Sequence, residues 1–223
     1  MLLSIAYFPP ISYFALIAKG LVLSDDKAEP SVVYIEVHET YQKQTWRNRC
    51  RFYAADGPQF LNFPVDHHDW KSLPITEVKV DYKTDWTRRA MRAIDSAYET
   101  SAFFEYYRDD LFDILASRPS TLFELDMRLL RFFLDKTGIL ADIRLTDEYV
   151  PVLSSTTPSE TAYGLDYREI LHPKRPNTIL SDLGLEKPYF QVFSRKHGFI
   201  NDLSIMDLLF NEGPDSILYL KRI

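Results

Sequence analysis

Leu2-Leu-Ser-Ile-Ala-Tyr-Phe-Pro-Pro-Ile-Ser-Tyr-Phe-Ala-Leu-Ile-Ala-Lys19 decides the fold class. Its opening, Leu2 to Tyr7, is an apolar run with the continuity of a strand buried on both faces. Pro9 and Pro10 end that run, and because proline is tolerated where a helix starts, Ile11 to Lys19 reads as the helix that follows. Strand, loop and helix in this order open an α/β sheet. The Tyr7 to Pro10 loop then falls at the carboxyl end of a strand, the edge where ligands collect in open sheets. Tyr7 is therefore a candidate ligand contact, although packing of Tyr7 and Phe8 between helix and sheet accounts for the same residues.

Working outward, a second short strand is expected at Leu21 to Leu23, a polar surface excursion from Ser24 to Pro30, and a clear strand from Val32 to Val37. Arg49 to Ala54 and Gln59 to Val65 flank Asp56-Gly57, which supplies the positive φ of a tight turn and predicts a β-hairpin. Ile75 to Val80 reads as another strand. From Asp85 the period changes to about 3.6, with Trp86, Ala90, Ile94 and Tyr98 on one face. Two more helices are expected, from Ser101 to Ser117 and from Thr121 to Lys136, the latter with Ser120 and Glu124 as a capping pair and Gly138 as its left-handed close. Ile139 to Leu145 supplies a strand, and Pro151 to Tyr163, rich in Ser, Thr and Pro, a long polar loop. Near the end, Asp202 or Ser204 can cap a short apolar helix that Gly213 closes. The predicted fold is α/β: a mixed sheet opened by a strand-loop-helix unit and a β-hairpin, with a three-helix middle segment and a short C-terminal helix, all in a single domain over residues 1–223.

Composition narrows the function. Hydrophobic residues make up 46% of the 223, enough for a substantial core, and a net charge of −6 argues against a surface broadly attractive to nucleic acid or anionic lipid. An anion must then be caught by a local cluster. The chain has 7 glycines and 13 prolines, which disfavours glycine-rich phosphate loops, and its one cysteine, Cys50, reads as a small strand residue pointing inward. The apolar start lacks a basic n-region and is broken by Pro9-Pro10, and no run approaches the ~20 apolar residues of a membrane span, so a cytoplasmic protein without membrane insertion is expected.

The densest polar cluster is Tyr41-Gln-Lys-Gln-Thr-Trp-Arg-Asn-Arg-Cys-Arg51, in the connection that enters the hairpin. Arg47 and Arg49 can clamp a phosphate or carboxylate, Asn48 can hydrogen-bond a polar ligand, and Trp46 with Tyr7 offers flat walls for a ring. The alternative is that these arginines pair with acidic neighbours and pin the hairpin. His172, within the polar stretch Tyr167 to Pro176, is the best candidate for proton transfer because imidazole titrates near neutrality. Asp66-His-His-Asp69 carries metal-ligating residue types, but adjacent histidines on an extended chain point to opposite sides, so a polar loop without metal is expected. The amide-rich start of the last helix, with Arg195 and Lys196 nearby, is a further place for an anion. No motif names a cofactor.

Three separated stretches, Ala6-Tyr-Phe-Pro-Pro-Ile-Ser-Tyr-Phe14, Tyr41-Gln-Lys-Gln-Thr-Trp-Arg-Asn-Arg49 and Gly198-Phe-Ile-Asn-Asp-Leu-Ser-Ile-Met-Asp-Leu-Leu-Phe-Asn-Glu-Gly213, together resemble the WbqC-like protein family, in order and over nearly the whole chain. The family is associated with O-antigen and related surface-polysaccharide gene clusters. The resemblance implies a cytoplasmic protein acting on an activated or amino sugar. It carries the Arg-Asn-Arg element onto Arg47, Asn48 and Arg49, and the Leu-Ser-Ile-x-Asp element onto Leu203, Ser204, Ile205 and Asp207. Many relatives have Gln where this chain has Ala6, and Asn where it has Asp202. The leading expectation is a transferase whose ligand is an anionic small molecule such as a nucleotide sugar, with Tyr7, Trp46, Arg47, Asn48, Arg49, Ser204 and Asp207 in substrate binding and His172 in acid-base work. The alternative is a noncatalytic small-molecule binding or assembly protein.

Overall fold

The structure is a computed structural model that describes residues 1–20, 22–24, 27–66, 68, 70–153 and 157–221. Leu21 of the expected second strand, Asp25 and Asp26 of the expected polar excursion, His67 and Asp69 of the Asp-His-His-Asp stretch, and Ser154, Ser155 and Thr156 of the expected polar loop lie outside the described residues. Asp66 accepts the backbone N–H of His68 at 3.1 Å, a local turn bond.

The central sheet has five strands in the order β7 (Ala141–Leu145), β4 (Ser31–Ile35), β1 (Leu2–Leu3), β9 (Gly164–Asp166), β8 (Ser159–Thr161). The first four run parallel and β8 is antiparallel to β9, so the sheet is mixed as expected. Leu2 and Leu3 pair with Tyr34 and Ile35, and Leu2 also faces Asp166. The strand expected from Leu2 to Tyr7 is therefore a two-residue ladder. Beyond it the buried chain turns out of the sheet: the Tyr7 N–H bonds the Trp46 carbonyl at 2.8 Å, and Phe8 takes a positive φ of 44°.

Helix α1 (Ile11–Lys19) is buried from Ile11 to Ala18, which fits its apolar composition all round. Pro10 precedes it and has no side-chain oxygen with which to cap it. The cap comes instead from Asp202, whose Oδ1 accepts the Ser12 N–H at 2.8 Å and whose Oδ2 accepts the Ser12 hydroxyl at 2.9 Å. Of the two caps expected for the last helix, Asp202 or Ser204, it is Ser204 that serves, its Oγ accepting the Met206 N–H. One helix is thus capped by a residue 190 positions away.

The predicted hairpin forms as β5 (Arg49–Ala54) and β6 (Gly57–Asn62), with Ala54 opposite Gly57 and Gly57 at φ 104°. A second small hairpin joins β2 (Val22–Ser24) to β3 (Lys27–Glu29). The three middle helices are α2 (Trp86–Tyr98), α3 (Phe104–Ala116) and α4 (Leu122–Thr137). At the start of α4 the Thr121 Oγ1 accepts the Glu124 N–H, and the Glu124 carboxylate reaches back to the Ser120 N–H at 3.0 Å. The capping pair is real, with Thr121 as its first member, and Gly138 closes the helix at φ 70°.

Two expectations are corrected. Ile75 to Val80 is a single 3₁₀ turn at Ile75–Glu77 followed by isolated bridges from Lys79 to Thr121 and from Val80 to Val65, because no neighbouring strand runs alongside it. Pro151 to Tyr163 contains β8, and its polar residues pair across a turn with β9. The chain continues through the short helices α5 (Ile179–Asp182) and α6 (Ser194–His197) to α7 (Ile205–Glu212) and α8 (Ser216–Leu220). No helix among the described residues is long and apolar enough to cross a membrane.

Because Asp202 is the only side chain among the described residues that caps α1, Asp202→Ala is expected to lower stability by about 1 to 2 kcal/mol. Asp202→Asn keeps an acceptor and tolerates the positive φ of 52° at this position, so it costs less. Urea unfolding of the two variants checks the ranking.

Candidate functional site

Because β1, β4, β7 and β9 are parallel, their carboxyl ends gather at one edge, and the polar residues of the site follow directly from them. Ser4 follows β1, Glu36 and Glu39 follow β4, Thr146 follows β7, and Arg168 to His172 follow β9. The chain leaves β1 through α1 towards β4 on one side, whereas β9 pairs on the other. The crevice between the ends of β1 and β9 is therefore the topological switch point, the place where open α/β sheets bind ligands. A cleft lies there, lined by Ser4, Ala6, Tyr13, Trp46, Arg47, Arg168, Glu169 and His172. Its enclosed volume is about 20 Å³, room for one water-sized group.

Two buried ion-pair systems form the walls. Arg47 Nε donates to Glu39 Oε1 at 2.8 Å, and its Nη2 donates to Glu39 Oε2 at 2.6 Å and to Ser4 Oγ at 2.8 Å. Nη1 has no hydrogen-bond partner among the described residues. Arg168 donates from Nε and Nη2 to Asp166, from Nη2 to the Val150 carbonyl, and from Nη1 to Glu36 at 3.4 Å. Glu36 also accepts from the His38 and Val150 N–H groups and from the Thr146 hydroxyl. Both arginines sit below 10% exposure, so each pair is largely desolvated, and removing one partner leaves the other charge uncompensated.

The cations of the Tyr41 to Arg51 cluster do not converge on one point. Lys43 lies over the Trp70 ring, Arg47 binds Glu39, Arg49 stacks on Phe60 at 4.5 Å, and Arg51 donates to the Asn201 carbonyl. Asn48 donates to the Phe63 carbonyl and so ties the hairpin base. Cys50 is fully buried, and that burial pushes its thiol well above the ordinary range, so the inward-facing reading holds.

The three stretches that carry the family resemblance meet through their backbones. Pro10 bridges Ser204, Ile11 donates to Leu203, Ile205 donates to Pro9, and Tyr7 donates to Trp46 of the middle stretch, while Ser204 donates to Arg51 just beyond it. The first amides of α7 are consumed in this joint and in its cap, since Met206 and Asp207 both donate to Ser204. Asp207 is buried and accepts from the Tyr189 hydroxyl at 2.6 Å and from Gln191 at 2.9 Å, yet burial still pushes its carboxyl up to about 6. Asp207 thus holds α7 against the Tyr189 to Ile200 segment, Ser204 ties the start of α7 to Pro10 and Arg51, and neither lines the cleft.

Of the residues singled out from sequence, the structure brings Trp46, Arg47 and His172 together in the cleft. His172 is half-buried, and burial, with Arg175 adding to it, lowers the imidazole below its usual value. Its Nδ1 accepts the Lys174 N–H at 3.2 Å, which leaves the proton of the neutral ring on Nε2. Tyr7 is fully buried, ring edge against Phe8 and Phe63, and its hydroxyl has no partner among the described residues. Sequence reasoning missed Glu36, Glu39, Asp166 and above all Asp126, a fully buried carboxyl on α4 with neither oxygen hydrogen-bonded among the described residues. Burial drives Asp126 well above the carboxylate range, with Arg47 opposing.

A family model described as the WbqC-like protein family matches residues 6–219. The chain belongs to the WbqC-like protein family. A member of the curated set, the uncharacterized protein Rv1507c of Mycobacterium tuberculosis, is 27% identical over 233 residues, covering 96% of this chain and 94% of that one. No solved structure matches the chain. Among WbqC-like features, the Arg-Asn-Arg element divides its labour here: Arg47 lines the cleft, while Asn48 and Arg49 serve the hairpin.

Arg47→Ala leaves Glu39 buried without its counter-ion and is expected to destabilise by on the order of 3 to 5 kcal/mol, whereas Arg49→Ala, which loses a ring contact, costs under about 1 kcal/mol. Paired denaturation curves test that contrast. Asp126 yields a pH prediction. A carboxyl whose folded value is raised contributes stability in full below its unfolded value, near pH 4, and loses it as pH rises towards the folded value. Asp126→Asn abolishes that loss, so its stability relative to wild type should increase as pH rises from 4 to 7; a constant difference across that range would show that Asp126 does not titrate as the fold implies.

Proposed function

We propose that this WbqC-like protein binds an activated or amino sugar in the crevice between the carboxyl ends of β1 and β9, and that it acts in the cytoplasm as a transferase of surface-polysaccharide synthesis. The observation that carries this reading is the meeting of Trp46, Arg47 and His172 at the switch point of the sheet. Each supplies what a sugar derivative needs: an aromatic face for a ring, a guanidinium nitrogen not engaged by Glu39, and an imidazole N–H. In its neutral form His172 meets the ligand as a donor from Nε2, because Lys174 occupies Nδ1. The enclosed space admits one small group, so the hydroxyl-bearing or amino-bearing end of the ligand enters and its anionic part stays at the mouth, near the exposed Lys174.

One observation favours the noncatalytic reading. Arg47, Arg168 and Glu169 are all engaged in ion pairs, and His172 accepts a proton at Nε2 only after breaking its bond to Lys174. A binding or assembly protein needs no such base.

Thermal unfolding with saturating nucleotide sugars, free amino sugars and inorganic phosphate tests the site. At a ligand concentration one hundred times Kd, binding adds roughly 2.7 kcal/mol to stability, a rise of several degrees in Tm. Trp46→Ala and His172→Ala should fold and lose that rise. If no probe protects the wild type, or if both variants are protected as it is, the crevice is not the ligand site. Mass spectrometry of the protected mixture then separates transfer from binding alone.

A further inference from the structure

On one side the central sheet ends in a strand with an open edge. β7 pairs with β4 in a parallel ladder, and among the described residues no strand lies beyond it. The Leu140 carbonyl accepts the Ser31 N–H and the Thr146 N–H donates to the Ile35 carbonyl, so the even-numbered positions here turn their backbone groups to β4. Directions alternate along a strand, and the N–H and C=O of Ala141, Ile143 and Leu145 therefore point outward. Among the described residues no backbone group bonds them. Natural sheets blunt such an edge with proline, lysine, a bulge or a very short strand. The opposite edge follows that rule, since β8 is the short polar run Ser159–Thr161. β7 does not: it runs from Ala141 to Leu145 in unbroken register without proline or lysine, and Leu145 is exposed, as is Leu140 just ahead of it.

We propose that β7 pairs antiparallel with β7 of a second copy of this chain, about a two-fold axis at Ile143, so that one sheet runs through both. In that register Ala-Asp-Ile-Arg-Leu is complementary to itself. Ile143 meets Ile143 and Ala141 meets Leu145, and these are the residues whose backbone groups point outward, so each becomes a hydrogen-bonded pair. Asp142 then stands opposite Arg144 of the second copy in the closer, non-hydrogen-bonded pairs, with both side chains on one face. Within one chain Arg144 Nη2 already bonds Asp142 Oδ2 at 2.6 Å, so the four charges of the two copies alternate in sign around a square. Moving the axis to Asp142 or to Arg144 would set a charge against its like. On the other face Leu145 lies over the small Ala141 of the second copy.

Sedimentation velocity over a wide range of protein concentration tests the proposal on wild type, Asp142→Arg, Arg144→Asp and an equimolar mixture of the two variants. Both side chains are partly exposed, so the variants are expected to fold as wild type does. Wild type should shift from monomer to dimer as concentration rises. Each variant alone sets like charges opposite each other in both pairs and should self-associate about tenfold more weakly or worse. The mixture restores opposite charges and should recover the dimer as a heterodimer, a result that no change within a single chain produces. If wild type stays monomeric throughout, the edge is not a self-pairing surface and the proposal is overturned, with an extended segment of another protein left as the edge's occupant. Variants that dimerise as wild type does place the contact elsewhere and overturn it equally, as does a mixture that fails to regain the dimer.

Discussion

The Arg47 guanidinium, bonded through two nitrogens to Glu39 and also to Ser4, is the constraint on which the sheet edge depends. It fixes three segments that no ladder joins at this point: the exit from β1, the exit from β4 and the connection into the β5–β6 hairpin. β1 pairs through only two residues, far short of a typical strand, so the short central strand relies on what happens just beyond it. The Tyr7 to Trp46 backbone bond and the Tyr13 hydroxyl on the Ser4 carbonyl reinforce the same place. A charge pair this dry is weak evidence of net stability, since desolvation offsets the attraction. What it supplies is a fixed geometry at the point where the sheet reverses direction.

A second long-range tie, Asp202 on Ser12, explains why the first and last of the family stretches travel together. The carboxylate reaches the start of α1 from the loop ahead of α7, while Ile11, Pro9, Ser204 and Leu203 exchange backbone bonds around it. Both oxygens of Asp202 accept from Ser12, and Asn177 adds a third donor at 3.3 Å. An asparagine at this position offers one acceptor fewer, so the aspartate fits the Ser12 backbone and hydroxyl as a matched pair. The joint also uses the amides of the α7 start, and for this reason a helix that looks open to an anion in sequence is closed in the fold.

What the sequence made legible was local. Helix α1 between Pro10 and Gly20, the hairpin around Asp56-Gly57 and the close of α4 at Gly138 each rest on residues whose conformational preferences act within a few positions. Ile75 to Val80 has strand-like composition but no neighbour to pair with, and β8 hides in a polar stretch because its partner β9 supplies the pairing that its composition does not announce. The site divides in the same way. Trp46, Arg47 and His172 stood out as residue types, but a single sequence does not show that Arg47 is held by Glu39 or that His172 joins it across more than a hundred residues. Asp126 was invisible for a simpler reason: within α4 it looks like one more solvated carboxylate, and only burial makes it exceptional.

The charges beneath the crevice bring these observations together. Two guanidiniums, Arg47 and Arg168, face three buried carboxylates, Glu36, Glu39 and Asp166, so the walls already carry more negative than positive charge. An ionised Asp126 would add a fourth carboxylate with no hydrogen bond to support it, which is why Arg47 lowers its carboxyl without overcoming burial. The crevice therefore has little attraction for an anion drawn inward by net charge, and in a chain of net charge −6 the rest of the surface does not compensate. On the function proposed here, the groups left to select a ligand are the face of Trp46, the unengaged Nη1 of Arg47 and the Nε2 proton of His172. Under that proposal such a set distinguishes ligands by where a ring and its hydroxyls or amines lie, and a phosphate would stay where water still screens it.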